Sequence, residues 1–231
     1  MIGTPGGDGD RVARPVRCGT LLAVSEPARG WGRAFDPDHL ADLELEMWKA
    51  YYRRQGGRLF RLLVRANREQ ARVGVARALA AAMFLSIAAV RFGRSRGAYE
   101  RFEPAIARGY RMLGLPGSID VREVARLELR WWVVRREIGL AAGSAAGAAI
   151  TALYAALYEV PPTTVAEAGS LRGEAAEVRD RGAAADVDGP GGEGVSYWPE
   201  VGRLLRASYR SLHEALNPTA AHDTSDEPSG P

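Results

Sequence analysis

Apolar residues recur every three to four positions in six or seven segments of the chain. No segment shows the strict alternation or β-branched density of a half-buried strand. The pattern predicts an all-α fold, a single-domain helical bundle of six or seven helices. The first helix is announced by Asp36-Pro37-Asp38, a stop followed by a cap and an N-terminal proline, and runs through HLADLELEMWKAYYRRQ; Gly56-Gly57 marks a kink or an end before RLFRLLVRANREQ. A second, from about 71 to 92, is apolar around nearly its whole circumference between Ala78 and Val90 and is expected at the centre of the bundle. FEPAIARGYRMLG forms the third, closed by Gly114 and Pro116. VREVARLELRWWVVRRE forms the fourth, capped by Ser118 or Asp120. The uncharged run from Ile138 to Tyr158 reads as a fifth helix, ended by Pro161-Pro162. VAEAGSLRGEAAEVRDR after Thr163-Thr164 and WPEVGRLLRASYRSLHEAL complete the set.

Polar, glycine-rich stretches divide the chain around these segments. Residues 1–36 read as a flexible arm without the basic-then-apolar order of a signal peptide, 37–217 as the helical domain with a Gly-rich loop at 182–196, and 218–231 as a disordered tail. Two echoes run through the helical part. LELEMW at 43–48 is matched by LELRWW at 127–132, and Ile106, Tyr110 and Leu113 are matched by Leu205, Tyr209 and Leu212, with Arg111 and Arg210 following the tyrosines. Together they predict an internal duplication of a three-helix unit about a pseudo-two-fold axis.

The first echo contains the candidate chemistry. On a helical wheel Leu40, Leu43, Met47 and Tyr51 share a face with Glu44 among them and Trp48 alongside. In the fourth helix Val121, Val124, Ala125, Trp131 and Trp132 surround Glu128, with Arg135 two turns on. A buried carboxylate costs several kcal/mol unless it is paired, protonated or bound to a cation. Either each glutamate is paired with an arginine, Glu128 with Arg135 or one from a neighbouring helix, or the two line a pocket. In the second case Glu44 and Glu128 are candidate catalytic groups or receptors for a cation or ligand amine, and Trp48, Tyr51, Tyr52, Tyr110, Trp132, Arg135 and Tyr209 are candidate ligand-binding residues.

In outline, paired glutamates in a repeated bundle resemble the ferritin-like and haem-oxygenase-like carboxylate metalloproteins. The Glu-x-x-His pairs of the dimetal bundles are absent, His39 and His213 read as solvated or capping residues, and no metal ligand is assigned.

Composition narrows the alternatives. The 231 residues are 46% hydrophobic and 26% charged, enough for a substantial core, and the net charge of +3 rests on arginine, Lys49 being the single lysine. Scattered arginines without a basic stripe argue against a nucleic-acid partner, and the arginine enrichment itself reads as compositional bias. Cys18 alone excludes an internal disulfide framework and fits a cytoplasmic protein. The run 138–158, with Gly143-x-x-x-Gly147, is long enough to span a bilayer. Its alanine and glycine content favours a core helix with a small-residue seam against a neighbour such as the second helix, so no membrane partner is expected. GDGDR and GPGGEG lack the preceding strand of a phosphate loop, which argues against nucleotide binding and leaves the cofactor unknown. The expected function is a small-molecule binding protein or non-redox enzyme with a carboxylate and aromatic pocket. The alternative is a structural or interaction protein that dimerises through its Ala/Gly seams.

Overall fold

The computed structural model of the chain describes residues 31–139, 143–188 and 196–218. Among these it contains eight α-helices and no strands: α1 (Pro37–Tyr52), α2 (Gly56–Ala71), α3 (Val75–Arg94), α4 (Glu103–Leu113), α5 (Val121–Ile138), α6 (Gly143–Tyr158), α7 (Ala166–Asp188) and α8 (Trp198–Leu216). Caps act where the sequence placed them. The Asp36 carboxylate accepts from the backbone N–H groups of Asp38 and His39, and that of Asp120 from Arg122 N–H, so Asp120 rather than Ser118 starts α5. Gly114 closes α4 at φ 70°. Of the kink or end expected at Gly56-Gly57, the chain makes an end, with Arg54 at φ 57°, which divides the first segment into α1 and α2 and brings the helix count to eight among the described residues.

Each helix packs against the next in sequence, and α8 packs back on α1, so the eight close into a ring. Short links such as residues 53–55 and 72–74 turn each helix back beside its predecessor. Odd-numbered helices therefore end where even-numbered ones begin. At the end where α4, α6 and α8 finish, residues assigned to the flexible arm form a stopper. Phe35 is 3% exposed, Trp31 Nε1 donates to Leu113 O at 3.1 Å, and Arg33 donates to Leu216 O and Tyr158 O. The arm is thus overturned for 31–36, because these side chains satisfy helix-terminal carbonyls; its residues 1–30 lie outside the described residues, as do Cys18 and GDGDR. Residues 219–231 of the expected tail and 189–195 of the loop are likewise outside. The helix before the loop runs on to Asp188, past the expected start at 182, through a stretch containing Ala183 to Ala185. Arginines cap other helix ends as well: Arg136 donates to Phe92 O and Ser95 O, and Arg77 to Met112 O.

Two apolar segments sit differently from expectation. The uncharged run is not one helix, since α5 takes Ile138 and stops at Gly139, φ 65°, and α6 starts at Gly143. Its small-residue seam meets α7 rather than α3. Gly143 and Gly147 of α6 face Gly169 and Gly173 of α7, and a Cβ on Gly173 would lie 2.5 Å from both Gly143 O and Gly147 N. Meanwhile α3 is peripheral. Ala78, Ala81, Ala82, Ala88 and Phe92 are buried, but Val75, Leu79, Met83 and Ile87 form an exposed stripe with each residue about two-fifths to one-half accessible. A ring leaves every helix an outer face, and an all-round apolar pattern cannot say which side that is. By length and composition α3 is also the one helix, among the described residues, able to cross a membrane; 28% of its most apolar stretch is buried.

The echoed segments fall on α1 and α5 and on α4 and α8, each pair four helices apart around the ring, which removes the expected three-helix unit. The glycine crossing carries its own test. Gly173→Ala should lower the free energy of unfolding by about 1–3 kcal/mol, because the new methyl meets backbone that cannot yield. Gly57→Ala, where a Cβ meets nothing within 4 Å, should be neutral or stabilising in the same urea titration.

Candidate functional site

A cavity of about 530 Å³ lies inside the ring and is lined by residues from all eight helices. All nine residues singled out in the sequence border it: Glu44, Trp48, Tyr51 and Tyr52 on α1, Tyr110 on α4, Glu128, Trp132 and Arg135 on α5, and Tyr209 on α8. Helical periodicity explains this convergence, because residues at i and i+4 on one helix face the same way and the ring turns every inner face toward one space.

The two glutamates are held by matching donors. Glu44 Oε1 accepts from Trp48 Nε1 at 3.1 Å, and its Oε2 from the Tyr209 hydroxyl at 2.5 Å. Glu128 Oε1 accepts from Trp132 Nε1 at 3.0 Å, and its Oε2 from the Tyr110 hydroxyl at 2.9 Å. Each tryptophan lies one turn after its glutamate, and each tyrosine comes from the preceding helix of the ring, α8 for α1 and α4 for α5. Burial, reinforced by the neighbouring carboxylate, pushes the Tyr110 and Tyr209 hydroxyls well above their usual value and keeps them protonated donors.

The surroundings then diverge. Glu44 is 1% exposed and receives two further bonds from Arg172 of α7, from Nε at 2.8 Å and Nη2 at 2.5 Å. The same guanidinium donates to the Tyr154 hydroxyl at 3.3 Å and lies 5.1 Å from the Trp131 ring centroid. Glu128 has no ion-pair partner within 4 Å among the described residues, so of the two readings the sequence left open, its pairing with Arg135 or a neighbouring arginine is not made. Arg135 is claimed instead by Asp180 of α7, through bonds of 2.8 and 2.9 Å, and its guanidinium lies over the rings of Trp48 and Tyr52. Burial pushes Asp180 up, but its bonds to Arg135 and Arg179 more than offset this and hold it below the usual carboxylate range. Burial pushes Glu128 up as well, and here the through-space charge of Arg172 together with the Tyr110 and Trp131 side chains offsets only part of the effect, so the group stays above its ordinary value. Glu128 keeps some accessible surface, which it presents to the cavity.

Several lining residues were missed. Arg172 sits one turn after Ala168 and one turn before Ala175 and Ala176, an arginine on a buried small-residue face. That signal is of the kind that identified Glu44, hidden because α7 carries polar residues around most of its circumference. Trp131 and Asn67 also border the cavity; Asn67 Nδ2 is buried without a hydrogen-bond partner among the described residues, and the Trp131 side chain is close enough to Glu128 to favour its ionised form. Nothing local in the sequence marks Asn67. Neither His39 nor His213 lines the cavity, and His222 lies outside the described residues: the backbone N–H of His39 joins the α1 cap, and the His213 ring packs edge-on to Phe35. No cluster of three potential metal-ligating side chains occurs among the described residues.

The two carboxylate sets should differ in how much a substitution costs. Arg172→Leu leaves Glu44 buried without its cation and should cost about 3–5 kcal/mol in denaturant unfolding. Glu128→Gln should change stability by less than about 1 kcal/mol at neutral pH, because only neutral donors are involved. Since the folded-state pKa of Glu128 is raised, its contribution to stability is complete below 4.5 and is lost as the pH climbs through the raised value. Wild type should therefore gain on Glu128→Gln as the pH falls from neutral toward 4.5, and parallel pH profiles would contradict this assignment. No protein-family model, curated protein or solved structure matches the chain.

Proposed function

We propose that the chain is a small-molecule binding protein, or a non-redox enzyme, whose ligand occupies the cavity within the helical ring. One observation carries this: the Asn67 amide nitrogen donates to nothing among the described residues, although the side chain is more than nine-tenths buried and borders a cavity of about 530 Å³. An unmade hydrogen bond at such a position costs about 1–3 kcal/mol, and a bound molecule offering an acceptor would remove the cost. The cavity volume lies within the range of small-molecule sites, and its wall is mainly apolar and aromatic with a few convergent polar groups, as such sites require. Of the two carboxylates, Glu128 combines an elevated pKa with surface on the cavity, the properties a proton donor or acceptor needs, whereas Glu44 is locked by Arg172. The matched Glu, Trp and Tyr sets support an internal duplication of a four-helix unit as the origin of the ring.

The neutral dye N-phenyl-1-naphthylamine tests the cavity. It should bind saturably at one site per chain and change tryptophan emission, and Ala89→Phe, which fills the cavity wall, should weaken binding at least tenfold. Binding abolished by Met83→Glu on the outer face but unchanged in Ala89→Phe would place the dye on α3 and remove the support for an internal site.

Self-association is favoured by a different feature from the one the sequence offered. The glycine seams are consumed between α6 and α7 within one chain, whereas the Val75, Leu79, Met83 and Ile87 stripe is left open. If two copies pair through it, light scattering should give a dimer mass for the wild type and a monomer mass for Leu79→Glu/Met83→Glu. A monomeric wild type at high concentration would dispose of this alternative.

A further inference from the structure

The two carboxylate sets are alike up to one point, and the difference between them defines a ligand class. Around Glu44, Arg172 bridges the carboxylate and the Tyr154 hydroxyl. The corresponding positions around Glu128 can be found from packing. Ser208, which precedes Tyr209, donates through Oγ to Ala168 O at 2.7 Å, and one turn after Ala168 stands Arg172. Gly109, which precedes Tyr110, has its Cβ position 3.5 Å from Ala81 O, and one turn after Ala81 stands Leu85. Leu85 therefore takes the place of Arg172, and a Cβ at Gly109 would lie 2.7 Å from Leu85 Cγ, so the glycine makes room for it. In the same register, counted back from the ends of the helices, Tyr154 stands one turn before Tyr158, the last residue of α6, and Asn67 one turn before Ala71, the last of α2. Where one half has a carboxylate, a guanidinium and a hydroxyl bonded together, the other has a carboxylate, an aliphatic side chain and an amide whose nitrogen has no partner among the described residues. All six residues border the cavity.

We propose, building on the small-molecule reading above, that Glu128 receives the cationic head of an organic ligand, a guanidinium or amidinium on an apolar body, bound as Arg172 is bound to Glu44. The chain thus carries an internal picture of its ligand. Planar cations suit the position because they are weakly hydrated and offer in-plane donors to a carboxylate whose other contacts are the Tyr110 hydroxyl and the Trp132 indole N–H. Aromatic rings are at hand: Trp131, Trp132 and Phe92 line the same space. Asn67 Nδ2 remains as a donor for an acceptor atom elsewhere on the ligand.

Benzamidine and its neutral isostere benzamide test the proposal by calorimetry on the full chain. Benzamidine should bind at least tenfold more tightly than benzamide. Glu128→Gln should remove that preference while still binding N-phenyl-1-naphthylamine, which shows the fold and cavity intact. Leu85→Arg, which supplies Glu128 with an internal guanidinium, should abolish benzamidine binding by a second route. Equal binding of the two isosteres, undiminished benzamidine binding in Glu128→Gln, or dye binding without benzamidine binding would each overturn the cation assignment and leave the cavity reading standing. Failure of both dye and benzamidine to bind the wild type would overturn both.

Discussion

The ion pair between Glu44 and Arg172 lies where the ring closes on itself. Glu44 comes from α1 and its partners from α7 and α8, so the bond network joins the two ends of the helical order, while the Tyr154 hydroxyl brings in α6. Charges in so enclosed a place are tolerated only when every oxygen and N–H is matched. Glu44 meets that condition with four donor contacts, from Trp48, Tyr209 and two nitrogens of Arg172. Removing any partner leaves the others desolvated, which makes the geometry of these four helices depend on a single guanidinium.

The same physics explains how the ring can hold a cavity. A bundle packed by leucines alone would collapse on itself, but here bulky indoles and phenols from α1, α4, α5 and α8 are tethered by their polar ends to the two glutamates. Held at the tip, these rings stand as walls. Small residues take the opposite part, since the facing glycines of α6 and α7 bring two backbones together at one place on the circumference. Arginines, which composition alone would dismiss, tie off helix carbonyls at Phe92, Met112, Tyr158 and Leu216 and supply the cations of the interior.

Much of the candidate site was legible because it lies on amphipathic helices whose phase is readable. Glu44 and Glu128 stood out as charges on apolar faces, and their tryptophans followed at i+4. Arg172 escaped because α7 has no clear polar side for it to violate, and Asn67 because an amide on a buried face is commonplace. Which arginine serves which carboxylate was beyond any helical wheel: Arg135 shares a face with Glu128, yet Asp180 arrives from α7 and takes it.

Sequence alone determined that the chain is helical, where most helices begin and end, and which faces carry carboxylate and indole, since these follow from local propensity, capping and periodicity. Tertiary structure decided that α3 lies at the periphery, that the glycine seam is spent on α7, that residues 31–36 stopper one end, and that one glutamate meets a cation while the other meets none among the described residues. Those outcomes depend on which helices become neighbours. Neighbour choice is a property of the closed ring as a whole, set by the sum of many long-range contacts that no window along the chain contains.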